Sequence, residues 1–175
     1  SSEAHELRDL YTRIQHILGT ESPPFYFIDL HTTSSLSPPF IPFDDTLSNR
    51  EFVQRFPVPG ILGIEEFVRG TLLSYLVRYR VVTLGYEAGQ HGDPRSVDYH
   101  HAMLVLAMEN TGMLRPGALP SSQSCEKLLK YGCRDTRGFY EIRFRYAIEP
   151  GEQFQMLPGF ESFHPVRKRQ QVATN

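Results

Sequence analysis

The sequence contains no apolar run approaching the roughly 18 residues that cross a bilayer, and its first residues, SSEAHELRDL, lack the apolar stretch of a secretory leader. It also lacks an excess charge of either sign, with 18 Lys and Arg against 20 Asp and Glu for a net charge of -2. Neither nucleic acid nor an anionic membrane is therefore expected as a partner. Cysteine is scarce: Cys125 and Cys133 have no metal-type partner spacing and suit reduced thiols in a reducing compartment. There is no internal repeat. These absences lead to the expectation of a cytoplasmic protein with the composition of an ordinary soluble enzyme.

A chain of 175 residues is long enough for one main core and part of a second unit. Its most informative stretch is Phe25-Tyr26-Phe27-Ile28-Asp29-Leu30-His31-Thr32-Thr33, an apolar run that stops at an acid, an imidazole and two hydroxyls. Aromatic and branched residues between Pro23-Pro24 and a Ser/Thr/Pro-rich loop predict a buried central strand of an α/β sheet. Such sheets bind ligands at the carboxyl ends of their strands. Alternation puts Phe25, Phe27, Asp29 and His31 on one face, so the acid and the imidazole emerge together.

Upstream, Leu7, Leu10, Tyr11, Ile14, Ile17 and Leu18 recur at helical spacing and predict an amphipathic helix over Ala4 to Leu18 that covers the sheet. Downstream, Phe40-Ile41-Pro42-Phe43 reads as a short edge strand, and Asp44 to Asn49 supply the cap of a short helix through Phe52, Val53 and Phe56. A brief strand at Ile61-Leu62 and a helix from Gly70 precede Val81 to Glu87, a second strand with Val81, Thr83, Gly85 and Glu87 on one face. Gly85 and Gly89 flank Glu87 and allow close approach by a ligand or a loop. A long apolar helix from about Val97 to Asn110, a shorter one through Leu128, Leu129 and Tyr131, and an alternating antiparallel strand over Phe139 to Tyr146 complete the reading. His5, His16, His100 and His101 are expected as surface or packing histidines, the last two because neighbours on a helix point about 100° apart. Arg69, Arg78 and Arg80 precede the second strand; they are candidates for a substrate carboxylate, but solvated positions are the expectation.

Two readings of His31 and Glu87 stand on the residues alone. Imidazole and carboxylate at two strand ends suit a hydrolytic metal site, in which histidine holds zinc and glutamate handles the proton of water. Equally, Asp29 and His31 form a strand-terminal polar pair and Glu87 a surface acid. The segment Phe-Ile-Asp-Leu-His-Thr-Thr at 27–33 resembles the third zinc-ligand segment of the succinylglutamate desuccinylase/aspartoacylase family, relatives of the zinc carboxypeptidases. Thr-Leu-Gly-Tyr-Glu-Ala-Gly-Gln-His at 83–91 is similar to the segment carrying that family's general base, and Arg145 to Ile148, Met156 to Phe160 and His164-Pro165-Val166 resemble its C-terminal β-domain.

The resemblance implies that His31 is a zinc ligand, that Glu87 activates water for attack on an amide carbonyl, and that Asp29, with Thr32 as a further loop candidate, supports the site from outside it. One feature of the family is missing: none of the seven histidines is followed three residues later by Glu, so the His-x-x-Glu that supplies the other two zinc ligands is absent. The expectation is therefore an incomplete piece of a zinc-dependent hydrolase that removes the acyl group of a small amide such as an N-acyl amino acid. The alternative is an inactive small-molecule- or protein-binding module of the same fold. The fold class expected is mixed α/β, a mostly parallel sheet flanked by helices in an incomplete zinc carboxypeptidase-like arrangement, followed by part of a small β-domain. Residues 1–119 would form the core, 120–134 a helical connection and 135–175 the start of the β-domain. The partner expected is a small acylated substrate, and a homo-oligomer is compatible with the sequence.

Overall fold

In the computed structural model, which describes residues 2–68 and 70–175, the strand pairings are set by β4 (Val82–Gln90). On one side β4 runs parallel to β1 (Tyr26–Thr33). On the other side its Glu87 exchanges both backbone hydrogen bonds with Phe40, at 3.0 and 2.9 Å, in an antiparallel bridge. Phe40 leads directly into β2 (Ile41–Pro42), which pairs in parallel with β3 (Gly60–Leu62), and β3 pairs in parallel with β5 (Phe139–Glu141). The fold class is thus mixed α/β with parallel strand pairs flanked by helices. The Phe40 to Phe43 segment, expected at a sheet edge, lies between β4 and β3; Pro42 is tolerated there because its missing N–H falls outside the bonds made by Phe40, Ile41 and Phe43.

Helices α1 (Ser2–Thr20), α2 (Leu47–Val53), α3 (Ile64–Phe67), α4 (Leu72–Val77), α5 (Arg95–Asn110) and α6 (Ser122–Gly132) follow the expected order, with α3 unanticipated. Thr46 caps α2 by accepting from the Asn49 amide at 3.1 Å, and Thr71 caps α4 in the same way through Ser74. The core is built from Leu84, Tyr86 and Ala88 of β4, Phe52 and Val53 of α2, and Ala102, Met103 and Leu106 of α5. Residues 120–134, expected as a connection, contribute Cys125, Leu129 and Cys133 to that same core. Both cysteines are free, and burial pushes the Cys133 thiol up to about 12, which leaves it inert. No helix of the described residues is long and apolar enough to cross a membrane.

Three expectations are corrected. β1 is half-buried instead of deeply buried, because among the described residues it pairs on one side only. The amphipathic α1 forms as expected but buries no residue; it does not cover the sheet and instead meets α4, where the Gln15 amide donates to the Tyr75 hydroxyl at 3.0 Å. The alternating segment from Phe139 to Tyr146 yields a three-residue strand, parallel and not antiparallel. Its partner β3 stops where Gly63 turns into the left-handed region at φ 84°. Beyond Ile142, whose N–H reaches Leu62 O, β3 therefore offers no further partner, and Phe144 is 80% exposed. Alternation supplies the faces of a strand but not the neighbour that pairs with it. Farther on, β6 (Gln155–Met156) pairs antiparallel with β7 (Ala173–Thr174).

Asn49 braces α2 against β4. Fully buried, it accepts from the Thr83 amide at 2.9 Å through Oδ1 and donates to Asp44 O at 2.9 Å through Nδ2. Replacing it by leucine leaves the buried Thr83 N–H unpaired, so Asn49→Leu should lower the unfolding free energy by about 1–3 kcal/mol in urea denaturation. A change below about 0.5 kcal/mol, typical of surface substitutions, would show that the brace is dispensable.

Candidate active site at the β1 and β4 strand ends

The parallel register places His31 directly opposite Glu87 and Asp29 opposite Gly85. Side chains two apart on a strand share a face, and accordingly His31 Nε2 lies 3.0 Å from Asp29 Oδ1. A carboxylate can only accept, so this contact favours the tautomer with hydrogen on Nε2 and leaves the Nδ1 lone pair free. Both side chains are about half exposed, so solvent reaches the pair.

The backbone around Glu87 is tightly packed. A Cβ at Gly85 would stand 3.0 Å from Pro42 Cγ, and one at Gly89 would stand 3.3 Å from Ser37 O with φ at 92°. These glycines admit the Ser37 to Pro42 segment, and not the loop after Gln90. Register slips between His31 and Thr33, where Thr33 pairs with Gln90. The extra residue falls on β4, and the left-handed Gly89 accommodates the bulge. The bulge returns His91 to β1: its amide donates to Thr33 O at 2.8 Å, and its Nδ1 meets Thr32 Oγ1 at 2.7 Å. Thr32 thus contacts His91 and not His31.

Glu87 Oε2 is buried and has no hydrogen-bond partner among the described residues. Burial raises the Glu87 pKa above the usual glutamate range; His31, His91 and His100 oppose the shift, and Asp29 reinforces it. His100, on the second turn of α5, donates from Nε2 to His31 O at 3.1 Å and packs edge-on against Tyr86, ring centroids 5.7 Å apart. Its role in fastening α5 to the end of β1 was not visible in the sequence. Arg78 and Arg80 are exposed, and Arg69 lies outside the described residues.

His31, with Nδ1 free, offers one metal ligand. Among the described residues no three of His, Cys, Asp and Glu are placed to share a metal ion. Catalytic zinc ordinarily takes three protein ligands, so the residues present do not fit a complete zinc site.

No family model and no curated protein matches this chain. Among solved structures it is similar to one described as succinylglutamate desuccinylase/aspartoacylase from Rhodobacter sphaeroides. The TM-score is 0.40 and the identity 18%, over 49% of this chain and 27% of that one. At that score the likeness decides neither fold nor activity.

The Glu87 shift has a definite sign. A raised folded-state pKa means that the folded chain holds the proton more tightly than the unfolded chain. The stability this adds is present below the ordinary glutamate pKa and is lost as pH rises through the raised value. Glu87→Gln, which mimics the protonated acid, should therefore melt several degrees higher than the unaltered protein at pH 8, with the difference vanishing near about pH 4. Equal melting temperatures across that range would contradict the burial of this carboxylate.

Proposed function

We propose that the paired ends of β1 and β4 are the base-bearing part of an amide hydrolase site that removes the acyl group from a small amide of the N-acyl amino acid kind. The observation that carries this reading is Glu87: a carboxyl whose Oε2 is buried and has no partner among the described residues, opposite His31 in a parallel pair. A carboxylate without a committed partner can take a proton from an attacking water and hand it to the departing amine, so the proton balance closes on one residue. Burial strengthens its proton affinity, bringing it nearer the working range of a general base at neutral pH. Asp29 holds the imidazole of His31 so that Nδ1 faces away from the pair, free as a ligand or acceptor. On this reading zinc is the cofactor, His31 is one of its ligands, and the remaining ligands come from outside these residues.

A binding module of the same fold is the second reading. It is favoured by the incomplete ligand set among the described residues, and it would hold a small molecule or a protein at these strand ends without turnover.

Two measurements separate the readings. With the natural protein and N-acetyl and N-succinyl amino acids as substrates, Glu87→Gln should lower kcat by about 10²–10⁴-fold, the usual worth of a general base, with KM little changed. Full activity in that variant would remove Glu87 from the mechanism, and no turnover by the natural protein on any of these substrates would favour the binding module. Elemental analysis of the dialysed 175-residue chain should find zinc far below one per chain; stoichiometric zinc would show that the ligand set is complete without outside help.

A further inference from the structure

Thr32 and His91 form a pair that the proton transfer at Glu87 does not use. The β4 bulge brings them together: with Gly89 left-handed at φ 92°, the chain returns the His91 amide to Thr33 O at 2.8 Å and the ring to Thr32. His91 Nδ1 and Thr32 Oγ1 are 2.7 Å apart, the one hydrogen bond of either side chain among the described residues. The imidazole is thus held through its backbone and through Nδ1. It is exposed, and Nε2 has no partner among the described residues. The pair also stands beside the base. Burial dominates the proton affinity of Glu87; among the charged groups that then act on it, His91 follows only His31 and precedes Asp29 and His100. Such influence falls with distance, which puts the ring in the immediate surroundings of that carboxyl.

Amide hydrolysis places a second demand on this strand end. As Glu87 takes a proton from water, the water oxygen bonds to the acyl carbon and the carbonyl electron pair moves onto its oxygen. Collapse of that oxyanion breaks the C–N bond, and Glu87 returns the proton to nitrogen. The oxyanion is stabilised by a hydrogen-bond donor held in place before the reaction. Few groups here qualify: Asp29 accepts from His31 Nε2, His31 Nδ1 carries a lone pair, and His100 commits its Nε2 hydrogen to His31 O. His91 is the exception. A threonine hydroxyl that gives its proton to Nδ1 leaves the hydrogen of the neutral ring on Nε2.

We propose that His91, held by Thr32 in the tautomer with hydrogen on Nε2, donates to the carbonyl oxygen of the substrate and to the oxyanion that it becomes. The reaction in which it acts rests on the hydrolase reading. The tautomer, and donation to an oxygen acceptor at this strand end, are properties of the folded chain and do not.

Long-range ¹⁵N spectra of the labelled natural protein at about pH 8 should show His91 protonated on Nε2 and bare on Nδ1. Acetate, whose oxygens resemble those of a released acid, is the binding probe and should move the His91 Nε2 signal saturably. In Thr32→Val both tautomers should appear, and acetate should bind about tenfold more weakly, as when an imidazole loses its orienting partner. With N-acetyl and N-succinyl amino acids as substrates, His91→Phe should lower kcat by about 10²–10³-fold, the usual worth of one oxyanion donor. KM should stay within about threefold, since the contact is made mainly in the transition state. His91→Gln, which keeps a donor but not the ring, should recover about tenfold of that loss, whereas a merely structural imidazole would be replaced better by Phe. Hydrogen on Nδ1, an unmoved tautomer in Thr32→Val, or a kcat in His91→Phe at or above that of His91→Gln would each overturn the proposal. If the natural protein turns over none of these substrates, the hydrolase reading fails and acetate decides alone: a saturable shift at His91 Nε2 upholds the donor assignment, and none overturns it.

Discussion

The double backbone hydrogen bond between Glu87 and Phe40 is the constraint on which the rest of the structure depends. It joins the β1–β4 pair to the β2–β3–β5 pairings, so that the chain has a continuous path of strand contacts instead of two separate ladders. It also fixes the backbone of the residue whose side chain is the strongest chemical candidate. With Phe40 on one side and His31 on the other, the Glu87 main chain is held from both sides, and its Oε2 is buried without a partner among the described residues. Keeping a polar atom in that condition is destabilising, and such local costs are concentrated where a group must remain available for chemistry or a ligand.

The surroundings of Glu87 are consistent with that constraint. Gly85 and Gly89 lack the side chains that would push the Ser37 to Pro42 segment away, and the left-handed Gly89 lets the strand bulge so that His91 turns back to Thr32. His100 arrives from α5 and fastens the same strand end by its contact with His31 O. Four polar side chains thus gather around one carboxyl from three stretches of chain. Their influence on its proton affinity is divided: burial and Asp29 raise it, and the three imidazoles lower it. The balance leaves an acid that is neither locked in an ion pair nor freely solvated, which is what proton transfer near neutral pH requires.

Much of this was legible in the sequence for a local reason. Strand and helix periodicities are short-range properties, so β1, β4, α1, α5 and α6 were visible as apolar patterns with their boundaries nearly right. The shared face of Asp29 and His31 followed from the period of two alone. Legibility failed where a neighbour decides. The alternating run from Phe139 keeps only three residues in a strand because β3 turns away at Gly63. Phe40 to Phe43 carries edge-strand punctuation yet lies between two partners, and the apolar stripe of α1 says nothing about what lies opposite it.

The sequence by itself determined which side chains are candidates for chemistry and where each stands along its own element: an acid and an imidazole at the end of one strand, a glutamate between two glycines near the end of another. Only the tertiary structure decided that these ends meet in register, that Glu87 Oε2 is buried without a partner among the described residues, and that His100 rather than a residue nearer in sequence closes the group. The physical reason is the range of the forces involved. Periodicity and capping act within a few residues, whereas desolvation and hydrogen-bond satisfaction depend on every segment that packs against a group, however distant in the chain.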